Sequence, residues 1–151
     1  HELERVKELD KSTEKSWLKN HRGEAIKIIS FLLQNLPMDL NYRVIFMRRN
    51  LNEVLRSQNK MLERNGNSGT DATDDKMRSN YDMHLRKVYY RLDRLGNFET
   101  LYLDYPEVVE DPKRQAHRIA DFVSKDLDVE AMASAVQSGL YRNRHSKAAR
   151  A

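Results

Sequence analysis

The alternation of short apolar runs with amphipathic stretches predicts a three-layer α/β fold around a small parallel sheet. Two observations carry this. Runs rich in β-branched and aromatic residues occur at 25–30 (AIKIIS), 43–47 (RVIFM) and 98–104 (FETLYLD), and each reads as a buried strand. Stretches with helical spacing separate the second run from the third and follow the third. Strands that alternate with helices are joined by crossovers, so they run parallel. In such sheets ligands sit beyond the carboxyl ends of the strands.

The elements follow in order. Residues 2–19 carry Leu3, Val6, Leu9, Trp17 and Leu18 among charges, which predicts an amphipathic helix. After the strand at 25–30, FLLQNLP is short and ends at Pro37, so it predicts a turn of helix and a loop. After the second strand, Asn50 is an N-cap, and Glu53 completes a capping-box pattern. In that helix Leu51, Val54, Leu55, Gln58, Met61 and Leu62 share one face, with Glu53, Ser57, Lys60 and Arg64 on a polar stripe beside it. Residues 65–76 (NGNSGTDATDDK) lack periodicity and predict a mobile loop, a candidate gate over a substrate. Tyr81, Leu85, Val88, Leu92 and Leu95 return to helical spacing, with Gly96 as the C′ residue. Asp111-Pro112 starts a helix that buries Ala116, Ile119, Ala120 and Val123. Asp128 starts a last short helix that ends near Gly139, and residues 140–151 form a basic tail.

Composition narrows the function. A chain of 151 residues suits one domain with a moderate core. There is no apolar run long enough to span a bilayer and no signal-peptide pattern. The absence of cysteine excludes disulfides and thiolate metal sites and permits a reducing compartment, so a cytoplasmic protein is expected. A net charge of +4 favours anionic partners. The basic residues are interspersed with acids and lack an aromatic stacking pattern, so nucleic acid is not an expected partner. No metal-ligand cluster and no Walker A pattern is visible.

The stretch YRVIFMRRNLNEVLRSQNKML raises the functional question. Its strand runs straight into Arg48 and Arg49, and a helix then places Ser57 about two turns inside. An arginine presents a planar fork of permanently charged donors that fits phosphate oxygens. A serine hydroxyl eight positions after Arg49 adds a directional hydrogen bond from the adjoining helix. Arg48, Arg49 and Ser57 are therefore a candidate phosphate site along the helix side, beyond the short reach of the helix dipole.

VIFMRRNLNEVLRSQ resembles the 3′-phosphate-binding segment of sulfotransferases that use 3′-phosphoadenosine 5′-phosphosulfate. Arg49, Asn50 and Ser57 match that segment, with Leu51 where proline is common. AIKIISFLLQNLP is similar to the family's lysine-bearing strand and following Leu-Pro, and LYLDYPEVVEDPKRQAHRIADFV to its late strand, tyrosine, acidic turn and helix. The three blocks cover residues 25–123 and look like a bacterial branch.

The resemblance implies a P-loop-like fold, a single sulfotransferase-like domain over 1–151, and transfer of a sulfuryl group from the nucleotide donor to a hydroxyl or amine acceptor, with no metal. It makes Arg49, Ser57 and Arg48 nucleotide contacts. Arg142 and Arg144 of the tail would close the nucleotide site, with Tyr141 against a base. Lys27 is the candidate for charge stabilisation in the reaction. Two departures stand out. No Gly-rich phosphosulfate loop follows a strand before residue 25, so the domain is expected to be incomplete at its N-terminus. Where many relatives carry a basic histidine after the strand lysine, this chain has Ile29. His21, His84, His117 and His145 all read as surface histidines, and no catalytic base is assigned. The alternative is a non-catalytic nucleotide- or polyanion-binding module derived from the same fold.

Overall fold

The computed structural model describes residues 3–64, 71–137 and 139, without the side chains at 58, 61–64 and 71–74. The predicted basic tail, including Arg142 and Arg144, lies outside the described residues, as do residues 65–70 of the predicted loop. Strand β1 (Tyr42–Arg48) and strand β2 (Phe98–Asp104) form a two-stranded sheet. The Tyr42 N–H donates to the Asn97 carbonyl at 2.8 Å where the strands begin, and Arg48 meets Asp104 where they end, so the strands run parallel. Helices α1 (Leu51–Arg64) and α2 (Asp71–Arg94) make the crossover, and α3 (Tyr105–Glu110), α4 (Pro112–Val123) and α5 (Val129–Ser134) follow β2. The predicted α/β class, with a small parallel sheet flanked by helices, is the one observed.

Several predicted elements differ. Residues 25–29 are not a strand: their backbone is extended at Ile29 (φ −73°, ψ 145°), but no described strand pairs with them, and a 3₁₀ turn, Ser30–Asn35, follows. β-Branched side chains favour extended backbone, whereas a ladder needs a neighbour to bond to. The predicted helix at 2–19 is two 3₁₀ turns, Glu4–Glu8 and Ser16–His21. The break falls where the Ser12 hydroxyl donates to the Glu14 carbonyl and the Glu14 carboxylate accepts the Ser16 N–H, local bonds that compete with helix. Residues 71–76 belong to α2 rather than to a loop. Thr and Asp suit a helix start as well as a turn, so composition did not separate the two. Among the described residues, positive φ falls at Gly23 (81°) and not at Gly96.

The chain forms two compact units. One comprises the segment up to Tyr42 together with Met83–Glu99. Its core gathers Val6, Leu9, Trp17, Leu18, Leu32, Leu33, Leu36 and Leu40 with Val88, Leu92 and Phe98. The Tyr42 ring stacks on Phe98 at 5.2 Å, and its hydroxyl donates to the Pro37 carbonyl at 2.8 Å. Burial pushes the Tyr42 phenol up to about 12. Lys15 Nζ donates to the Asn35 carbonyl and Asn97 Nδ2 to the Leu40 carbonyl, which satisfies backbone groups in the loops. His84 is half-buried rather than a plain surface histidine: its ring stacks on Phe31 at 3.8 Å, and Nε2 is 3.0 Å from the Ser30 hydroxyl.

The other unit comprises Arg43–Asp82 together with the segment from Thr100 on. Phe46, Leu55, Leu103 and Ala116 form its buried apolar set. Asp111 caps α4 by accepting the Arg114 N–H, and Asp128 caps α5 by accepting the Ala131 N–H, as the sequence predicts. Arg43 Nη1 donates to the Val123 carbonyl at 2.6 Å, tying the last turn of α4 to β1. Ser124 closes that helix in the left-handed region (φ 53°). Lys113 pairs with Glu130 between α4 and α5.

Leu103 is fully buried, so Leu103→Ala removes three buried carbon atoms and leaves a cavity. The expected loss is about 2–5 kcal/mol, read as a lower denaturant midpoint at unchanged slope. The His84 imidazole is held below its ordinary 6.5, by burial first and by the nearby Lys87 charge second. The unfolded chain therefore takes up this proton at a higher pH than the folded one. Stability is complete above pH 6.5 and declines as pH falls toward the lower folded value. The melting temperature of His84→Gln is expected to fall less than that of the parent between pH 7 and the acidic side of that window.

Candidate functional site

The site begins where the sheet ends. β1 delivers Arg48 as its last residue and Arg49 as the next, while β2 delivers Asp104 as its last and Tyr105 as the next. The parallel register places these two pairs side by side. Arg48 donates from Nε and Nη2 to the two carboxylate oxygens of Asp104, at 2.9 and 2.6 Å. Its guanidinium carbon also lies 5.5 Å from the Tyr102 ring centre. Arg49 lies over the ring of Tyr105, with its guanidinium carbon 4.5 Å from the centroid. Among the described residues no hydrogen bond or ion pair engages the Arg49 guanidinium, and its side chain is exposed. A ring face attracts the cation yet leaves its in-plane N–H groups pointing outward, toward any anion.

The start of α1 adds little of its own backbone. Asn50 accepts the Asn52 N–H on its side-chain oxygen at 2.9 Å, and its carbonyl accepts the Glu53 and Val54 N–H groups. Those first-turn donors are occupied, so side chains must hold an anion here. Ser57 is exposed, about 10 Å along the helix from Asn50 at 1.5 Å per residue. Among the described residues no hydrogen bond joins Ser57 to Arg49, whose guanidinium rests on Tyr105. Glu53, expected on the polar stripe, is 2% exposed.

A buried polar network supports the Tyr105 end. Gln115, 1% exposed, accepts from Arg118 Nη1 at 2.7 Å and donates to Glu107 at 3.4 Å, and Arg118 Nη2 reaches the Tyr102 carbonyl at 3.5 Å. One amide thereby ties α3, α4 and β2 together, and α3 is the helix that begins with Tyr105. Asp104 and Tyr105 were missed as site residues. The available signal was their place at the carboxyl end of a predicted strand, Asp104 as its last residue and Tyr105 just past it, much as Arg48 and Arg49 follow the predicted strand 43–47.

Lys27 is exposed within the extended segment before the Ser30–Asn35 turn, in the other unit from Arg49, and Ile29 beside it is 58% exposed. An open groove of about 590 Å³ between α4 and α5 is lined by His117, Asp121, Ser124, Lys125 and Asp126, among others, and holds none of the predicted site residues. Among the described residues no group of three or more His, Cys, Asp or Glu is arranged to hold a metal ion, and no helix is long and apolar enough to cross a membrane.

Comparison with known proteins returned no match among curated proteins and none among solved structures. A family model described as the sulfotransferase family matches residues 3–129. That span contains β1, α1, β2 and all four strand-end residues, Arg48, Arg49, Asp104 and Tyr105. With most of its length matched, the chain belongs to the sulfotransferase family.

Proposed function

We propose that the chain binds 3′-phosphoadenosine 5′-phosphosulfate through Arg49 and supports transfer of its sulfuryl group to a hydroxyl or amine acceptor. One observation carries this reading: an exposed arginine at the carboxyl end of a parallel strand, backed by an aromatic ring, with no competing ion pair among the described residues. That donor set fits a phosphate, since the in-plane N–H groups of Arg49 can take two oxygens at once. Ser57 would add a hydroxyl donor from α1. Arg142 and Arg144, outside the described residues, would add charge over the nucleotide. When bound, the nucleotide supplies the activated sulfuryl group. Lys27 is the residue proposed to stabilise negative charge during transfer, and no side chain is assigned as the base for the acceptor.

A second reading is a nucleotide- or polyanion-binding module without catalysis. The exposed Ile29 favours it, because a hydrocarbon at the position of a basic histidine cannot take a proton. A sulfate-transfer assay separates the two: transfer to any acceptor excludes the module, whereas tight nucleotide binding without transfer supports it.

Calorimetric titration with adenosine 3′,5′-bisphosphate and with 5′-AMP tests the binding reading. The parent chain should discriminate for the 3′-phosphate. Arg49→Ala should weaken the bisphosphate by about 10–100-fold, the loss of one or two charge-assisted hydrogen bonds. Equal binding of the two nucleotides, or an unaffected Arg49→Ala, would overturn it. Ser57→Ala should cost a smaller factor, about 3–10-fold, and leave 5′-AMP binding unchanged.

A further inference from the structure

We propose that Arg48 is a positioning residue for this site and not a phosphate ligand: it cancels the charge of Asp104, so that Arg49 meets an incoming phosphate without a carboxylate opposing it. The inference rests on the phosphate reading of Arg49.

Three features of the strand ends carry it. The first is that the Nε–Nη2 edge of Arg48, one of the edges that could grip two phosphate oxygens, is already filled by the two oxygens of Asp104 at 2.9 and 2.6 Å. Tyr102 beneath the guanidinium, at 5.5 Å, holds its plane against turning away. The second is the position of Asp104, which immediately precedes Tyr105, the ring that supports Arg49. Adjacent Cα atoms are about 3.8 Å apart, well inside the screening length of about 8 Å at physiological ionic strength. An uncompensated Asp104 would put a negative charge on the residue next to the ring that carries Arg49, a neighbourhood within the reach of unscreened repulsion. The third is that the pair is half exposed to solvent, which limits what even its bidentate geometry adds to stability. Its side chains are 43% and 41% exposed, and exposed ion pairs stabilise folds little. Two adjacent arginines thus divide the work, one held against the chain's own anion and one left for a foreign anion.

Titration of the full chain with adenosine 3′,5′-bisphosphate tests the division, using Arg48→Gln, Asp104→Asn and the double variant, each checked for folding by circular dichroism. Arg48→Gln should weaken binding by about 5-fold, the scale of one exposed like-charge contact. Adding Asp104→Asn should restore affinity to within about twofold of the parent, and Asp104→Asn alone, which leaves the Arg48 charge uncompensated, should bind the bisphosphate at least as tightly as the parent. The Arg48→Gln penalty should shrink as ionic strength rises from about 0.02 to about 0.3 M, because screening weakens repulsion but does not mend a misplaced backbone. Arg48→Lys, which keeps the charge and loses the fork, should bind like the parent and serves if Arg48→Gln does not fold. A double variant as weak as Arg48→Gln, a salt-independent penalty, an Arg48→Lys as weak as Arg48→Gln, or a several-fold loss from Asp104→Asn alone would each overturn the inference. Binding that depends on Arg49 while Arg48→Gln goes unrescued overturns this inference alone. Loss of any dependence on Arg49 overturns the phosphate reading, and the inference with it.

Discussion

A hydrogen bond from the Tyr42 N–H to the Asn97 carbonyl sets which residue of β2 lies beside which residue of β1. Both strands then run for seven residues, so both end together, with Arg48 beside Asp104. A slip of one residue would turn every side chain to the other face and separate these two. The aromatic pairs follow the same register: Tyr42 on Phe98 at one end, Phe46 against Tyr102 nearer the other. The pairing therefore organises the core and the site at once, and the strand-end residues inherit their positions from it.

At those ends the chain places two cations, one anion and two phenols within a few residues. The arrangement sorts them by chemistry. The carboxylate takes an arginine in a bidentate pair, and each guanidinium lies over a ring. Rings supply attraction to a cation without using its hydrogen-bond donors. This explains how Arg49 can be held in place and still keep its donors directed outward.

The support beneath this surface is polar as well as apolar. Gln115 sits at the meeting of α3, α4 and β2, where its amide accepts from Arg118 and donates to Glu107. A buried amide with both ends engaged stabilises one arrangement of its neighbours over others, because any shift would leave a polar atom without a partner. The helix it steadies starts with Tyr105, so the orientation of the ring under Arg49 depends on a residue with no outward-facing chemistry. Nothing in the spacing of Gln115, one polar residue among many in α4, distinguished it from a solvated side chain.

By itself the sequence determined the α/β class, β1 and β2 to within a residue, and the caps at Asn50, Asp111 and Asp128. These are local properties: period and capping chemistry. Tertiary structure decided the rest. Residues 25–29 have strand-like composition but no described strand beside them, residues 71–76 were taken up into a helix despite loop-like composition, and Glu53 was buried despite its place on a polar stripe. Above all, only the fold could distinguish Arg48 from Arg49. In sequence they are adjacent and chemically identical; both lie over a ring, and what separates them is the carboxylate that Arg48 meets, some 56 positions away along the chain.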